Sequence, residues 1–154
     1  MTIKINTSDL QSHIGADCGT SDWFEINQQQ VNDFADVTLD HQFIHVDPVK
    51  AADSPFGTTI AHGFLTLSML AHFLQKGVGV NVPNRTVCDN YGYDKVRLLT
   101  PVTVGSRVLA YAVLMAATEK KPGQYLFKLG ITIEIEGEAK PALKAEWLNM
   151  VFAG

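Results

Sequence analysis

The polar segment from position 40 to position 47 contains side chains that could exchange protons. Asp40 offers a carboxylate and His45 an imidazole, and His62 and Gly63 follow where a long apolar segment begins. A carboxylate and an imidazole that are held together can act as general base and general acid on a bound water molecule. The N-terminus of a helix adds free N–H groups, which stabilise negative charge.

These residue types would suit the addition of water to a trans-2-enoyl thioester. The reaction needs a base for the water, an acid for the α-carbon and a donor for the charge that builds on the thioester oxygen. Asp40 and His45 would carry out the proton transfers. Glycine at position 63 would let the thioester approach the backbone N–H closely.

Each of these residues also has a purely structural interpretation. Asp40 could cap a turn, His62 could cap the helix or support the preceding loop, and His41 and His72 are typical of surface or core histidines. Asp40, His45 and His62 could also bind a metal ion, but their spacing fits no zinc signature. We therefore predict an acid–base site with no metal.

Two helices are predicted around this segment. Asn27 is a good N-cap, and the apolar positions that follow predict a helix that ends near Thr38. The segment from His62 to Lys76 carries apolar side chains on every side of its axis, which predicts a central helix that is buried all round. Thr66 and Ser68 in this segment are most simply helix-packing residues.

The second half of the chain is rich in predicted strands. Apolar and polar residues alternate from 124 to 136, and further strands are predicted at 107–117, at 143–152 and, as one or two strands, at 87–99. Short turns join these strands, so the sheet should be antiparallel. The sequence therefore predicts one α+β domain over residues 1–154, in which an antiparallel sheet wraps around a long central helix.

Composition excludes several classes of function. The net charge of −4 does not favour binding to nucleic acid, and two cysteines without paired spacing predict no disulfide framework. The N-terminus lacks the apolar core of a signal peptide, and the apolar run from Phe64 to Leu74 is too short to span a bilayer. We expect a soluble cytoplasmic protein that does not bind membranes.

Two motifs carry a resemblance to a known family. The segments DHQFIHVDP at 40–48 and FGTTIAHGFL at 56–65 closely resemble the MaoC-like dehydratase family, which includes the (R)-specific enoyl-CoA hydratases, or hydratase 2. The segments at 90–97, 101–106 and 140–147 look like later parts of short, single-domain bacterial members. The resemblance covers nearly the whole chain, from about Trp23 to Phe152.

The resemblance implies a hot-dog fold and a homodimer that holds acyl-CoA at or near the subunit interface. Asp40 and His45 would hold and activate the water, and the Gly63 N–H, beside His62, would bind the thioester oxygen. The product would be an (R)-3-hydroxyacyl-CoA, formed with no metal or redox cofactor. Coenzyme A would be part of the substrate. The resemblance does not say which of Asp40 and His45 is the base.

The chain departs from the family pattern beside the predicted site. Leu39 stands where the family often has glycine, and Phe43 stands where tryptophan is common. Ser68 is the nearest match to a serine that supports the site in this family. Asn90 and Arg97 are further candidates for binding substrate in the pocket.

Two other functions are compatible with the same fold. An acyl-CoA thioesterase would typically use a carboxylate on or near the central helix, and no Asp or Glu lies between Ile60 and Leu74. A non-catalytic acyl-CoA-binding subunit is the other alternative, and Leu39 beside the predicted catalytic aspartate is the reason to keep it.

Overall fold

The computed structural model describes residues 2–154. A 3₁₀ helix covers Thr7–His13, and the α-helices are α1 (Gln28–Thr38), α2 (Phe43–Val46), α3 (Pro48–Ala52), α4 (Gly63–Ser68) and α5 (Leu70–Gln75). The strands are β1 (Ile3–Lys4), β2 (Asp17–Thr20), β3 (Phe24–Glu25), β4 (Val80–Asn81), β5 (Arg85–Leu98), β6 (Arg107–Lys121), β7 (Gln124–Ile135) and β8 (Leu143–Ala153). No helix within this range is long and apolar enough to cross a bilayer.

Six strands form one antiparallel sheet in the order β2, β6, β7, β8 and β5, with β3 also paired to β6. The four long strands lie where the sequence predicts them, and the segment predicted at 87–99 forms one strand, β5. A tight turn at Pro122 and Gly123 joins β6 to β7, and glycine is favoured at 123 because φ is +76° and a Cβ atom there would lie 2.8 Å from the Ala153 carbonyl oxygen. The short strands β1 to β4 were not predicted, because two to four residues are too few for an alternating pattern to show.

The buried face of the sheet packs on the central helical segment. Side chains of β7 and β8 form one cluster with α4 and α5, and its members include Phe127, Ile131, Trp147, Leu70 and Phe73. This arrangement confirms the predicted α+β architecture. The first helix also begins as predicted, because the Asn27 side chain accepts a hydrogen bond of 2.9 Å from the Gln30 N–H.

The central helix differs from the prediction in two ways. It is interrupted at Met69, which separates α4 from α5. It is also not buried all round, because the Phe64 side chain is 68% exposed and Ser68, Ala71 and Gln75 continue the same exposed stripe. Positions three and four apart lie on one side of a helix, and the sheet of a single subunit does not cover this side. The sequence pattern, which is apolar on all sides of the helix, therefore predicted more burial than the helix has within one chain.

Candidate active site

The segment between α1 and α4 brings the predicted site residues together. The chain leaves α1 at Leu39, passes Asp40 and enters α2, which carries His45. The strand-like segment before α4 then runs beside α2, since the Ile60 N–H donates to the Ile44 carbonyl at 2.9 Å. Gly63 begins α4 directly after this segment. The segment between α1 and α4, which contains α2 and α3, thus folds back on itself and places Asp40, His45 and His62 side by side.

His45 is fixed in one tautomer by a backbone contact. Its side chain is buried, at 7% exposure, and Nδ1 lies 2.7 Å from the Ile60 carbonyl oxygen. A carbonyl oxygen can only accept, so Nδ1 carries the proton and Nε2 of the neutral ring is an acceptor. Gln28 supports this geometry by donating to the His45 carbonyl at 2.7 Å, and its own oxygen accepts from Thr59.

Asp40 and His62 complete the group. The Asp40 side chain is 52% exposed, and its Oδ2 lies 3.9 Å from Nε2 of the buried His62. The same Nε2 donates to the Asp40 backbone carbonyl at 3.0 Å. The His62 ring stacks on the His45 ring with centroids 3.8 Å apart and an angle of 23° between the planes. His62 therefore positions both Asp40, through its backbone, and the imidazole of His45.

Ligand atoms of Asp40, His45 and His62 all lie within 4.8 Å of one another, which raises the question of a metal ion. An imidazole binds a metal along its in-plane lone pair. The planes of the two histidine rings are stacked nearly parallel, so their lone pairs do not converge on one point. The His62 Nε2 proton also points at a carbonyl group. The geometry suits proton transfer and fits a shared metal poorly.

A cavity of about 280 Å³ opens beside His45 and Gly63. Its walls are mostly apolar and include Ile60, Val102 and Leu143. No side chain caps the start of α4, and within residues 2–154 no carbonyl or side chain accepts from the Gly63 N–H. A Cβ atom built on Gly63 would collide with the Leu98 side chain. The lack of a side chain at position 63 thus leaves room for Leu98 in the cavity wall. The Gly63 N–H remains free to bind a ligand.

Of the predicted site residues within 2–154, His45 and Gly63 line this cavity, and five do not: Asp40, His62, Ser68, Asn90 and Arg97. Ser68 is exposed on the outer stripe of α4 and donates to the Phe64 carbonyl at 2.7 Å. Asn90 and Arg97 are exposed on β5. Thr66, which the sequence interpretation assigned to helix packing, does line the cavity. The only sequence signal for Thr66 is its position one helical turn after Gly63.

The two cysteines are poor nucleophiles in the folded chain. Burial raises the pKa of the Cys18 thiol to about 11 and also raises the pKa of Cys88. Nucleophilic attack by cysteine requires the thiolate, which a raised pKa makes scarce at neutral pH. Neither cysteine lines the cavity beside His45. Covalent thiol chemistry therefore has no support at this site.

Leu39 adopts the left-handed backbone conformation that the family's glycine would favour. Its φ and ψ angles are 62° and 22°, and its side chain is exposed at the end of α1. A leucine in this conformation is strained, because its Cβ atom lies too close to the following carbonyl oxygen. The backbone before Asp40 therefore has a conformation that glycine would adopt without strain and that leucine adopts with strain.

Replacing Leu39 with glycine should raise the free energy of unfolding by about 0.5–1 kcal/mol, since relief of strain exceeds the added entropy of the unfolded chain. Urea denaturation of wild type and L39G measures this difference. The matched control is Val37→Gly at an exposed position in the last turn of α1, which should lower stability by about 0.3–0.5 kcal/mol. Equal destabilisation by both substitutions would contradict the strain at Leu39.

Comparison with known proteins supports the resemblance across the chain. A family model described as "MaoC like domain" matches residues 9–130. Nodulation protein N of Rhizobium meliloti is 46% identical over 146 residues, which cover 94% of this chain and 90% of that protein. The 3-hydroxyacyl-thioester dehydratase Z of Mycobacterium tuberculosis is also 46% identical over 146 residues, which cover 92% of each chain.

Solved structures support the fold. A MaoC-like dehydratase from Rhodospirillum rubrum superposes with a TM-score of 0.77 at 18% identity and covers 97% of this chain and 98% of that one. The (R)-hydratase from A. caviae involved in PHA biosynthesis gives 0.71 at 24% identity, with 88% and 94% covered. These structures confirm the predicted hot-dog fold. Together with the family model and the relatives of nearly equal extent, they show that the chain belongs to the MaoC-like dehydratase family.

Proposed function

We propose that this chain is an (R)-specific enoyl-CoA hydratase, which reversibly adds water to trans-2-enoyl-CoA and gives (R)-3-hydroxyacyl-CoA. One observation carries the proposal: a ring nitrogen of His45 lies within 4.8 Å of an Asp40 carboxylate oxygen, and His45 lines the same cavity as Gly63, whose N–H has no acceptor within residues 2–154. Membership of the dehydratase family and the identity to a 3-hydroxyacyl-thioester dehydratase support an enzyme of the hydro-lyase kind. The (R) configuration is what the resemblance of the two motifs to (R)-specific hydratases implies.

In the proposed mechanism, Asp40 and His45 hold a water molecule against C3 of the substrate. His45 Nε2 takes a proton from this water as its oxygen bonds to C3. The electrons of the C2–C3 double bond move to the thioester oxygen, where the Gly63 N–H stabilises the negative charge. The Asp40–His45 pair then returns one proton to C2, which restores both groups and completes the addition of water.

We propose His45 as the base of the pair. Its Nδ1 proton is held by the Ile60 carbonyl, so the ring can receive a second proton at Nε2 without changing its orientation. Asp40 is more exposed and is held by one long contact of 3.4 Å from the Gln42 N–H. We therefore assign the first proton transfer to His45 and the orientation of the water to Asp40.

The substrate supplies coenzyme A, and we propose no further cofactor and a cytoplasmic location.

An absorbance assay with crotonyl-CoA tests the reaction, because hydration removes the conjugated double bond. A parallel assay for free thiol separates hydration from thioester hydrolysis. We expect loss of enoyl absorbance without release of thiol. Thiol release from saturated butyryl-CoA would instead support a thioesterase.

We further propose that the enzyme works as a homodimer formed along β5. Within residues 2–154 this strand pairs only with β8, and its free edge is 14 residues long and carries the exposed side chains of Val87 and Tyr91. Long strand edges are normally protected or covered, since their free N–H and C=O groups pair readily. Leu98 at the end of β5 also lines the cavity, which would place a partner subunit beside the site.

Sedimentation analysis should give about twice the chain mass of 16.9 kDa. Tyr91→Asp should shift the protein to monomer, because it places a charge in the proposed interface. Val49→Asp, at an exposed position on α3, is the matched control and should leave the dimer intact. A wild-type protein that stays monomeric at micromolar concentration would contradict this assembly.

A further inference from the structure

Two hydroxyl groups in the wall of the catalytic cavity have no hydrogen-bond partner. The oxygen atoms of Thr66 and Thr100 are buried, and neither contacts a donor or acceptor within residues 2–154. They do not bond to each other either. Thr66 is only 2% exposed and its oxygen is closed to water in this conformation, so a ligand would pair with it after a change of rotamer turns the hydroxyl into the cavity. Among the described residues that line the cavity, Thr66, Thr100 and His45 are the only ones with polar side chains.

Neither hydroxyl is explained by the packing of the fold. A threonine inside a helix commonly donates to the carbonyl four residues earlier, which for Thr66 is that of His62, and this bond is absent here. Burial of a hydroxyl without a partner is unfavourable, so a valine of the same shape would serve packing better. The other walls of the cavity are apolar and include Ala61, Val102 and Leu143.

We propose that Thr66 and Thr100 select acyl groups whose chain carries a hydroxyl or oxo oxygen, in preference to plain alkyl chains. This inference rests on the proposed function, because it takes the cavity as the acyl site of the thioester. A site with buried polar groups discriminates strongly against an analogue that cannot pair with them. An alkyl chain would leave both hydroxyls unpaired, whereas an oxygenated chain would satisfy them.

The helix geometry indicates where on the chain the oxygen lies. Thr66 follows Gly63 by three residues and lies on the same side of α4, about 5 Å along the axis. With the thioester oxygen at the Gly63 N–H, an extended acyl chain covers this distance in about four bonds. The preferred oxygen is therefore expected near C5, beyond the carbon atoms that react.

Binding of saturated thioesters tests the inference without turnover. Isothermal titration would compare hexanoyl-CoA with its 4-, 5- and 6-hydroxy derivatives on the wild-type protein. We expect one hydroxy isomer to bind about tenfold more tightly than hexanoyl-CoA or better, with the 5-hydroxy compound favoured. Thr66→Val and Thr100→Val should each reduce this preference by removing one hydroxyl, and the double variant should bring it near unity, while Thr66→Ser should retain most of it.

The outcomes separate this inference from the proposed function. Hydration of crotonyl-CoA together with equal binding of all four saturated thioesters would overturn the selection and leave the hydratase standing. A clear preference for a hydroxy isomer without hydration would support the selection and overturn the hydratase. Thr66→Val should melt at or above the wild-type temperature, and a large drop would assign the hydroxyl to folding and overturn its role in selection.

Discussion

Asp40→Asn and His45→Gln should each lower kcat for the hydration of crotonyl-CoA by about 10²–10⁴-fold. The asparagine keeps the shape of Asp40 but removes its charge, and glutamine at position 45 cannot take a proton from water. Because the two groups act on one water molecule, the double variant should be little worse than the more damaged single variant. Steady-state kinetics with circular dichroism would measure both activity and folding.

His41 and Asp36 provide matched controls for these substitutions. They form an exposed pair at 2.8 Å, close to the site in sequence but outside the cavity lining. His41→Gln and Asp36→Asn change the same residue types and should leave kcat within about twofold of wild type, as expected for an exposed ion pair. Folded Asp40 and His45 variants with wild-type turnover would remove the basis for the proposed mechanism.

Gly63→Ala should lower kcat/KM by about 100-fold, although alanine is a better helix former than glycine. The new Cβ atom would occupy the space of the Leu98 side chain. Leu98 would then move into the acyl cavity or displace the start of α4, and the Gly63 N–H would lose its alignment with the thioester oxygen. Kinetic measurements across several acyl chain lengths would show the loss.

A second substitution tests this steric explanation. Leu98→Ala in the G63A background should recover part of the lost kcat/KM, because the two side chains compete for one space. Gly130→Ala is the control, since its Cβ would meet only the outer Met115 side chain and the Val113 carbonyl. Failure of L98A to rescue any activity would show that the loss at position 63 has a cause other than contact with Leu98.

The sequence was most informative where one periodic pattern or one local contact decides the structure. The cap at Asn27 depends on two residues three apart, and the alternation in β7 depends only on which side chains face the core. Gly63 at the start of α4 was also predicted, from the all-apolar segment that begins beside it and from the family motif. These features are local, so they do not require knowledge of the rest of the fold.

The features that the sequence could not reveal depend on contacts between distant segments. The exposure of Phe64 is set by how far the sheet extends, and stacking of His45 on His62 depends on the path of the loop between them. The missing partner of Thr66 is visible only when all neighbouring atoms are placed. The left-handed Leu39 was foreseen only as a departure from a family pattern, and the structure gives its physical meaning.

The stereochemistry of the crotonyl-CoA product tests the central claim most directly. Purified protein would be incubated with crotonyl-CoA, and the 3-hydroxybutyryl product would be resolved by chiral chromatography, with the H45Q variant as the reference for uncatalysed addition. The proposed site predicts the (R) product alone, at a rate that H45Q does not reach. Formation of the (S) product, or equal rates for wild type and H45Q, would contradict it.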